Sequence, residues 1–263
     1  MIGPRHAQML RGAEAIAAQA AEALTAMRGR LRDVSRKELR DIVTEADLAS
    51  ERIVLDGIRA LTPGAAILSE EAGASGPEDG ARWVVDPLDG TVNYAAGLPW
   101  FSVTIAYQQS GRTCVGIVHA PAIAMLARYV EGGIATVNGR DARVSERASL
   151  ADAVVSIVLT SHFTDREVAR TAEAIRRLGN SVRGVRVIVS GALEMALVAG
   201  GELDGYVSLK ADAVSHAAAM PLVRAAGGRV TRLDGRESSD GDLEKIASNG
   251  LIHDELLQCL DGV

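Results

Sequence analysis

Apolar residues near the start of the chain recur every three or four positions, which is the spacing of an amphipathic helix. The apolar stripe within residues 7–28 comprises Met9, Leu10, Ala13, Ile16, Ala17, Ala20, Leu24 and Met27. Charged residues at Arg11, Glu14 and Glu22 interrupt the stretch, so it predicts a surface helix and not a secretory signal peptide. The sequence contains no run of eighteen apolar residues, and no membrane-spanning helix is predicted.

Strand-like and helix-like patterns share the rest of the chain. The predicted helices cover Thr44 to Ala60, 164–178, 190–200, 214–226 and a final stretch near 253–260. The predicted strands cover 66–69, 82–86, 101–109, 113–119, 125–130, 151–159, 184–188 and 204–209, with a Gly/Pro/Asp loop at 73–80. Successive strands in the first half, followed by alternating strands and helices, predict an α/β protein built from stacked helix and sheet layers.

Composition narrows the class of protein. Of the 263 residues, 48% are hydrophobic and only 3% aromatic, so the predicted core is aliphatic. The formal net charge of −6 argues against nucleic acid or an anionic membrane as the main partner. Two cysteines, Cys114 and Cys259, are too few for a disulfide framework, which favours a reducing cytoplasmic location.

The segment Arg82–Tyr94 carries the strongest chemical signal. A run of β-branched residues ends in Asp86, and Asp89, Gly90 and Thr91 follow Pro87 and Leu88. Carboxylates at this spacing offer hard oxygen ligands to divalent cations, and backbone N–H groups at a helix start can bind an anion. Together they predict a site for phosphoryl transfer or phosphate hydrolysis. The alternative is an ordinary turn in which Asp and Gly are only turn formers.

Several motifs resemble one family, and they occur in that family's order along nearly the whole chain. They are Asp86-Pro-Leu-Asp-Gly-Thr-Val-Asn93, Asp41-Ile-Val-Thr-Glu-Ala-Asp47 with Glu51, Ile67-Leu-Ser-Glu-Glu71, Val137-Asn-Gly-Arg140 and Ala247-Ser-Asn-Gly-Leu-Ile-His253. This pattern resembles the inositol monophosphatase family of Mg²⁺-dependent, lithium-sensitive phosphatases. The resemblance implies a five-layer αβαβα sandwich of the inositol monophosphatase and fructose-1,6-bisphosphatase type. It also implies an N-terminal half, 1–145, that carries the acidic motifs and a C-terminal half, 146–263, that contributes the substrate pocket.

The resemblance also implies roles for individual residues. Mg²⁺, with Mn²⁺ as a substitute, is expected on Glu70, Asp86, the Leu88 carbonyl and Asp89. Glu70 is expected to orient the attacking water, while Thr91 and Asp47 position that water and help remove its proton. The expected substrate-binding residues are Lys37, Asp89, Gly90, Thr91, Ser190, Gly191, Ser208 and Lys210. The expected partners are a small phosphorylated metabolite and a second copy of the chain in a homodimer.

Two of these positions have a plain structural alternative. Thr44 and Asp47 also fit a capping box, in which they satisfy the free N–H groups that begin a helix. Lys37 also fits an ordinary exposed lysine. The four histidines considered, His119, His162, His216 and His253, show no ligand-like pairing in the sequence, and none is expected in catalysis.

The C-terminal half departs from the family pattern at two positions. The family's Trp-Asp pair, whose Asp binds a second metal, corresponds to Val214-Ser215, and a family Glu that contacts substrate hydroxyls corresponds to Ser208. A hydroxyl is a weaker Mg²⁺ ligand than a carboxylate. Asp212 replaces the lost ligand if the following helix begins one turn early, and Lys210 otherwise brings a positive charge toward the phosphate.

Two hypotheses follow for the function. The first is a metal-dependent phosphatase that hydrolyses a sugar, cyclitol or nucleoside monophosphate in a remodelled pocket. The alternative is a family-derived protein that binds a phosphorylated metabolite with weak or no catalysis.

Overall fold

A computed structural model describes residues 2–29, 34–36, 42–77, 80–160, 162–211 and 213–263, with backbone alone for 34–36 and 42–43. Seven α-helices lie within these residues: α1 (Pro4–Met27), α2 (Glu45–Leu61), α3 (Thr91–Ala95), α4 (Asp165–Ser181), α5 (Gly191–Gly200), α6 (Ala219–Ala225) and α7 (His253–Cys259). No helix among them combines the length and the hydropathy needed to cross a membrane.

The N-terminal half forms the larger of two main sheets. Its strands are β3 (Ala66–Ser69), β4 (Gly73–Ser75), β5 (Arg82–Asp89), β6 (Ser102–Gln109), β7 (Arg112–Ala120), β8 (Met125–Val130), β9 (Thr136–Val137) and β10 (Arg140–Asp141), in the spatial order β10-β9-β8-β7-β6-β5-β3-β4. All neighbours are antiparallel except β3 and β5. A separate hairpin of β1 (Val34–Arg36) and β2 (Ile42–Thr44) precedes α2.

The C-terminal half forms the smaller sheet. Its strands are β11 (Val154–Ile157), β12 (Gly184–Arg186), β13 (Gly205–Ser208), β14 (Arg229–Thr231) and β15 (Lys245–Ser248), in the order β12-β11-β13-β15-β14. Strands β12, β11 and β13 are parallel to one another. Strand β15 pairs antiparallel with β13, and β14 pairs antiparallel with β15.

Alternating residues on each strand separate the core into three layers. On β5, Trp83 and Val85 pack with α1 and α2, while Val84 packs into the layer between the sheets, which contains α5 and α6. On β13, Tyr206 faces that same central layer and Val207 faces α4 and α7. This alternation is what a period of two residues requires of strands buried on both faces. The result is the predicted αβαβα order of layers.

Most predicted elements are confirmed, but several differ in extent. The helix predicted over 214–226 is wrong at its start, because residues 213–218 form turns and α6 begins at Ala219. Pro221 explains the difference, since proline has no N–H and fits only the first turn of a helix. The predicted loop at 73–80 contains the short strand β4, the strand predicted over 151–159 is confined to Val154–Ile157, and the strand predicted over 82–86 continues to Asp89.

Gly116 on β7 brings the turn segment 213–218 close to the larger sheet. A Cβ atom at Gly116 would lie 2.6 Å from the carbonyl oxygen of Ala218, which is closer than real Cβ atoms approach. Thr113 on the same strand donates a hydrogen bond of 3.0 Å to the Ala217 carbonyl. The sheet therefore holds the segment through a close backbone approach that only glycine permits.

We expect Gly116→Ala to destabilise the protein by about 1–3 kcal/mol, because the methyl group must displace backbone and not a flexible side chain. Chemical denaturation of both forms measures the change. Gly179→Ala on α4 is the control, since open space surrounds that position and alanine there favours the helix. An equal loss of stability in both variants would contradict the close-approach argument.

Candidate functional site

A cavity lies where the two halves of the chain meet. Its lining from the N-terminal half is Glu70, Asp86, Leu88, Asp89, Gly90, Thr91 and Val92. The C-terminal half contributes Val158, Thr160, His162, Phe163, Val189, Gly191, Tyr206, Ser208, Lys210, Ala211, Ser215 and His216. Most of the residues predicted for the site are therefore brought together in one place.

A bulge in β5 places Asp86 and Asp89 on the same face of the larger sheet. Residues three apart on a regular strand point to opposite faces. Here Asp86 pairs with Thr104 and Asp89 pairs with Ser102, so β5 contains one extra residue relative to β6. A bulge of this kind also accommodates Pro87. Both carboxylates consequently face the central layer, and both are buried.

Asp89 joins the two halves of the chain. Its Oδ2 accepts hydrogen bonds from the Ser190 hydroxyl at 2.7 Å and from the backbone N–H groups of Ala192 and Leu193 at 3.1 and 3.4 Å. The Ser102 hydroxyl donates to the same oxygen at 3.2 Å. Asp89 thus satisfies the free N–H groups at the start of α5 from outside the helix. Ser190, predicted to bind substrate, lies behind Asp89 and positions that carboxylate.

Asp47 contacts both the start of α2 and Thr91, which lines the cavity. One oxygen, Oδ2, accepts from the Thr44 backbone N–H at 2.8 Å and from the Thr44 hydroxyl at 2.5 Å, which completes a capping box at the start of α2. The other oxygen, Oδ1, accepts from the Thr91 hydroxyl at 2.8 Å. The Thr91 hydroxyl also lies 3.0 Å from the Leu88 carbonyl oxygen. Burial raises the pKa of Asp47, and the hydrogen bonds from Thr44 and Thr91 oppose that shift.

Glu51 braces the turn that carries Glu70 and Glu71. Its Oε1 accepts from the Ser69 hydroxyl at 2.7 Å and from the Ala72 backbone N–H at 2.8 Å. These two bonds hold the chain on either side of the glutamate pair. Glu70 itself is exposed at the edge of the cavity.

Gly90 allows the chain to turn sharply between β5 and α3. Its φ is +91°, and a Cβ atom there would lie 2.7 Å from the Trp100 carbonyl oxygen. Both the left-handed backbone and the close contact exclude larger residues. The Gly90–Thr91 backbone can therefore approach a ligand in the cavity closely.

The carboxylates around the cavity suit a divalent cation. Glu70, Asp86 and Asp89 offer hard oxygen ligands, as does the Leu88 carbonyl. Their carboxylate oxygens do not all lie within 4.8 Å of one another, so they surround the cavity and do not form a closed cage. Mg²⁺ tolerates this arrangement, because it usually keeps several waters and binds substrate phosphate together with one or two carboxylates.

Two serines on the C-terminal side occupy the positions where the family resemblance implies acidic side chains. The Ser215 hydroxyl donates to Asp86 Oδ2 at 2.6 Å, so it adjoins a predicted metal ligand without contributing charge. Ser208 is almost fully buried, and its hydroxyl has no hydrogen-bond partner among the residues that the structure describes. An unpartnered hydroxyl in a cavity wall is a ready partner for a polar ligand.

Lys210 reaches the edge of the cavity with its charge partly engaged. Its Nζ lies 3.0 Å from Glu167 Oε2 and 3.3 Å from the His162 carbonyl oxygen. The ammonium also lies 5.9 Å from the centre of the Phe163 ring. Lys37 and Asp212 fall outside the described residues. Asp212 was expected to replace the lost ligand if the following helix began one turn early. That condition is not met, because residues 213–218 are turns.

Tyr206 and His216 lie in the wall of the cavity, and the sequence analysis did not assign either residue to the site. The Tyr206 hydroxyl and His216 Nε2 lie 2.6 Å apart, and both residues are buried. A Cβ atom at Gly191 would lie 2.7 Å from His216 Nε2, so the glycine leaves room for the pair. Their separation of ten residues carries no motif, and only the crossing from β13 to the turn segment 213–218 brings them together.

Val189 is held in an uncommon backbone conformation immediately before α5. Its φ is +63°, a region that β-branched residues rarely adopt. The Asn93 side-chain amide donates to the carbonyl oxygens of Ile188 at 2.7 Å and of Val189 at 3.2 Å. These bonds hold the chain as it enters the helix that receives Asp89.

Glu194 is a fully buried acid behind the site. Burial is the main cause that raises its pKa from 4.5 to about 8, although the Ser190 backbone N–H, which donates to Oε2 at 3.0 Å, favours the charged form. The folded protein therefore holds this carboxyl neutral over a range in which the unfolded chain ionises it. Folding becomes less favourable as the pH rises from 4.5 to about 8.

We expect Glu194→Gln to remove this loss, since the amide stays neutral at every pH. The Tm of the variant relative to the native protein should rise between about pH 5 and about pH 8, measured by thermal unfolding in matched buffers. Glu22→Gln, at an exposed position on α1, is the control. A Tm difference that does not change with pH would contradict the assignment of a neutral buried acid.

Comparisons with known proteins agree with this geometry. A sequence profile of the inositol monophosphatase family matches residues 5–261. The fructose-1,6-bisphosphatase/inositol-1-monophosphatase of Thermotoga maritima is 38% identical over 89% of this chain and 89% of its own length. An inositol-1-monophosphatase of Mesorhizobium japonicum is 36% identical over 86% and 85%. The crystal structure of the extragenic suppressor protein suhB from Bartonella henselae superposes with a TM-score of 0.91 at 30% identity, covering 97% of this chain and 99% of that one. The chain therefore belongs to the inositol monophosphatase family, whose members are phosphatases.

Proposed function

We propose that the protein is a metal-dependent phosphatase that hydrolyses a small phosphomonoester. The observation that carries the proposal is the Thr91 hydroxyl, 2.8 Å from the Asp47 carboxylate, beside the buried carboxylates of Asp86 and Asp89. A protein that only bound a phosphate would not need a hydroxyl and a carboxylate arranged to hold and deprotonate a water.

Mg²⁺ would be held by Asp86, Asp89, Glu70 and the Leu88 carbonyl. The bound cation would neutralise phosphate charge and make a water easier to deprotonate. The Mg²⁺ requirement is a family property that this donor set supports. Mn²⁺ takes similar oxygen ligands and is proposed as a substitute.

The protein groups divide the remaining work. The Thr91 hydroxyl accepts a hydrogen bond from the attacking water and donates a hydrogen bond to Asp47. These two hydrogen bonds orient the water toward phosphorus. The raised pKa of Asp47 makes its carboxylate a better proton acceptor near neutral pH. The backbone N–H groups of Gly90 and Thr91 bind the phosphate oxygens, where charge must be stabilised as the bond to the leaving group breaks.

The wall of the cavity supports a hydroxyl-bearing substrate. Ser208 presents an unpartnered buried hydroxyl, and Tyr206 and His216 add polar atoms above Gly191. A sugar, cyclitol or nucleoside monophosphate offers the hydroxyl groups that such a wall would recognise. The name of the Thermotoga maritima relative covers both a sugar bisphosphate and an inositol phosphate, which is consistent with this class of substrate.

One observation favours the alternative of a phosphorylated-metabolite-binding protein with weak catalysis. Ser215 donates to Asp86, at the position where the family pattern has a metal-binding Asp. Loss of that charge weakens a second metal site. We nevertheless favour catalysis, because the hydrogen bond between Thr91 and Asp47 supports the activation of a water beside the acidic side chains.

We expect Mg²⁺-dependent release of phosphate from at least one small sugar, cyclitol or nucleoside monophosphate, measured by a phosphate assay across a panel of these compounds. Asp86→Asn should lower the rate by at least about 100-fold, because that residue is a central metal ligand. Asp56→Asn, on the exposed face of α2, is the matched control. Full activity in excess chelator, or an undiminished Asp86→Asn variant, would refute the metal mechanism.

Ser215→Asp should increase the affinity for Mg²⁺, because it places a second carboxylate beside Asp86. We expect the Mg²⁺ concentration for half-maximal activity to fall by roughly 10-fold. Ser215→Asn has the same size without the charge and should not produce the change. If Asp212→Ala instead raises the Mg²⁺ requirement and Ser215→Asp has no effect, the ligand has moved to Asp212 and the site is not weakened.

A further inference from the structure

A second cluster of metal-ligand side chains lies far from the cavity, at the start of α1. His6, Cys114 and Glu131 each offer one ligand atom, and the three atoms lie within 4.8 Å of one another. No other set of three such residues converges this closely within the described part of the chain. The cluster combines sulfur, imidazole nitrogen and carboxylate oxygen.

The fold brings these residues together through two contacts. Cys114 on β7 and Glu131 at the end of β8 are cross-strand neighbours, and the Glu131 N–H donates to the Cys114 carbonyl at 2.8 Å. Such pairs place their side chains on the same face of the sheet. Helix α1 packs across that face, and His6 in its first turn lies over the pair.

Two of the three ligands have a neighbouring group at the atom that does not face the cluster. His6 Nε2 lies 2.9 Å from Gln109 Oε1, so the ring donates there and leaves the Nδ1 lone pair directed at Glu131 Oε2, 3.9 Å away. The other oxygen, Oε1, lies 3.6 Å from Arg112 Nη2, which leaves Oε2 on the side of His6. Outer hydrogen bonds of this kind set the ring tautomer and the direction of ligands in metal sites.

The donor set selects the metal. Thiolate and imidazole favour Zn²⁺ over Mg²⁺ or Ca²⁺, which take oxygen ligands. In a tetrahedral Zn²⁺ site, bond lengths of about 2.0–2.3 Å place neighbouring ligand atoms about 3–4 Å apart. His6 Nδ1 and Glu131 Oε2, 3.9 Å apart, already have such a separation, and all three ligand atoms lie within 4.8 Å of one another.

We propose that His6, Cys114 and Glu131 form a Zn²⁺ site that ties the first turn of α1 to the larger sheet. Nδ1 of His6, the Cys114 thiolate and Oε2 of Glu131 are the protein ligands, and water completes the fourth position. The thiol releases its proton to solvent when the metal binds. The site is separate from the phosphatase cavity, which has no sulfur ligand among its lining residues.

Co²⁺ is the probe for this site, because a thiolate bound to Co²⁺ gives a charge-transfer absorption band that oxygen ligands do not. The protein is titrated with Co²⁺ in excess Mg²⁺, which occupies the oxygen-ligand site in the cavity. We expect one Co²⁺ per chain with a thiolate band. Cys114→Ser should abolish the band, and Gln109→Ala should weaken binding by roughly 10–100-fold through loss of the orienting bond.

Cys259→Ser is the matched cysteine control and Asp86→Asn the control for the cavity, and both should retain the band. His6→Gln and Glu131→Gln change partly exposed residues, so they test the ligands if Cys114→Ser does not fold. Zn²⁺ should also raise the Tm by about 5–10 °C at roughly 100 times its Kd, and Cys114→Ser should lose that rise. Absence of a thiolate band at saturating Co²⁺, or a band that survives Cys114→Ser, would overturn the proposal.

Discussion

The carboxylate of Asp89 accepts four hydrogen bonds, three of which cross between the two halves of the chain, and the architecture of the cavity depends on them. Ser102 donates from the larger sheet, while Ser190, Ala192 and Leu193 donate from the start of α5. A buried carboxylate is costly unless its lone pairs are satisfied, and the first N–H groups of a helix need acceptors. The N-terminal half therefore supplies an acceptor for the N–H groups of α5, and the C-terminal half supplies donors for the buried carboxylate. The same residue lines the cavity, so the bonds that join the halves also set the position of a proposed metal ligand.

Asp47 combines a structural role at the start of α2 with a contact to Thr91 on which the proposed chemistry depends. Its two oxygens divide the work, since Oδ2 caps α2 and Oδ1 accepts from Thr91. The two interpretations of the Thr44–Asp47 motif looked like alternatives in the sequence, because a motif does not reveal how many acceptors a residue uses. In the structure the capping bonds and the Thr91 contact are made by different oxygens of Asp47, so the capping interpretation is confirmed and leaves Oδ1 available for the proposed role beside Thr91.

The sequence predicted the layers, most helices and strands, and the acidic side of the cavity, because local periodicity and a contiguous motif carry that information. It did not predict that Asp86 and Asp89 share a face, since two residues three apart do so only through the bulge at Pro87. Nor did it predict the Tyr206–His216 contact, which depends on the path of turns before α6. The family resemblance assigns Ser190 to the substrate, and its bond to Asp89 was not predicted because it joins residues 101 positions apart in the chain. The start of α6 at Ala219 was readable from Pro221, and that signal was given too little weight.

The backbone conformation of Val189 lowers the stability of the folded protein, so selection for thermal stability would act on this residue. A β-branched residue with φ of +63° carries strain of order 1–3 kcal/mol, and the Asn93 amide holds it in place. Glycine would adopt the same backbone conformation without strain, but it would also adopt other backbone conformations easily. Natural proteins commonly trade stability against activity at such positions. In a laboratory evolution experiment, heat tolerance and turnover would accordingly favour different residues at position 189.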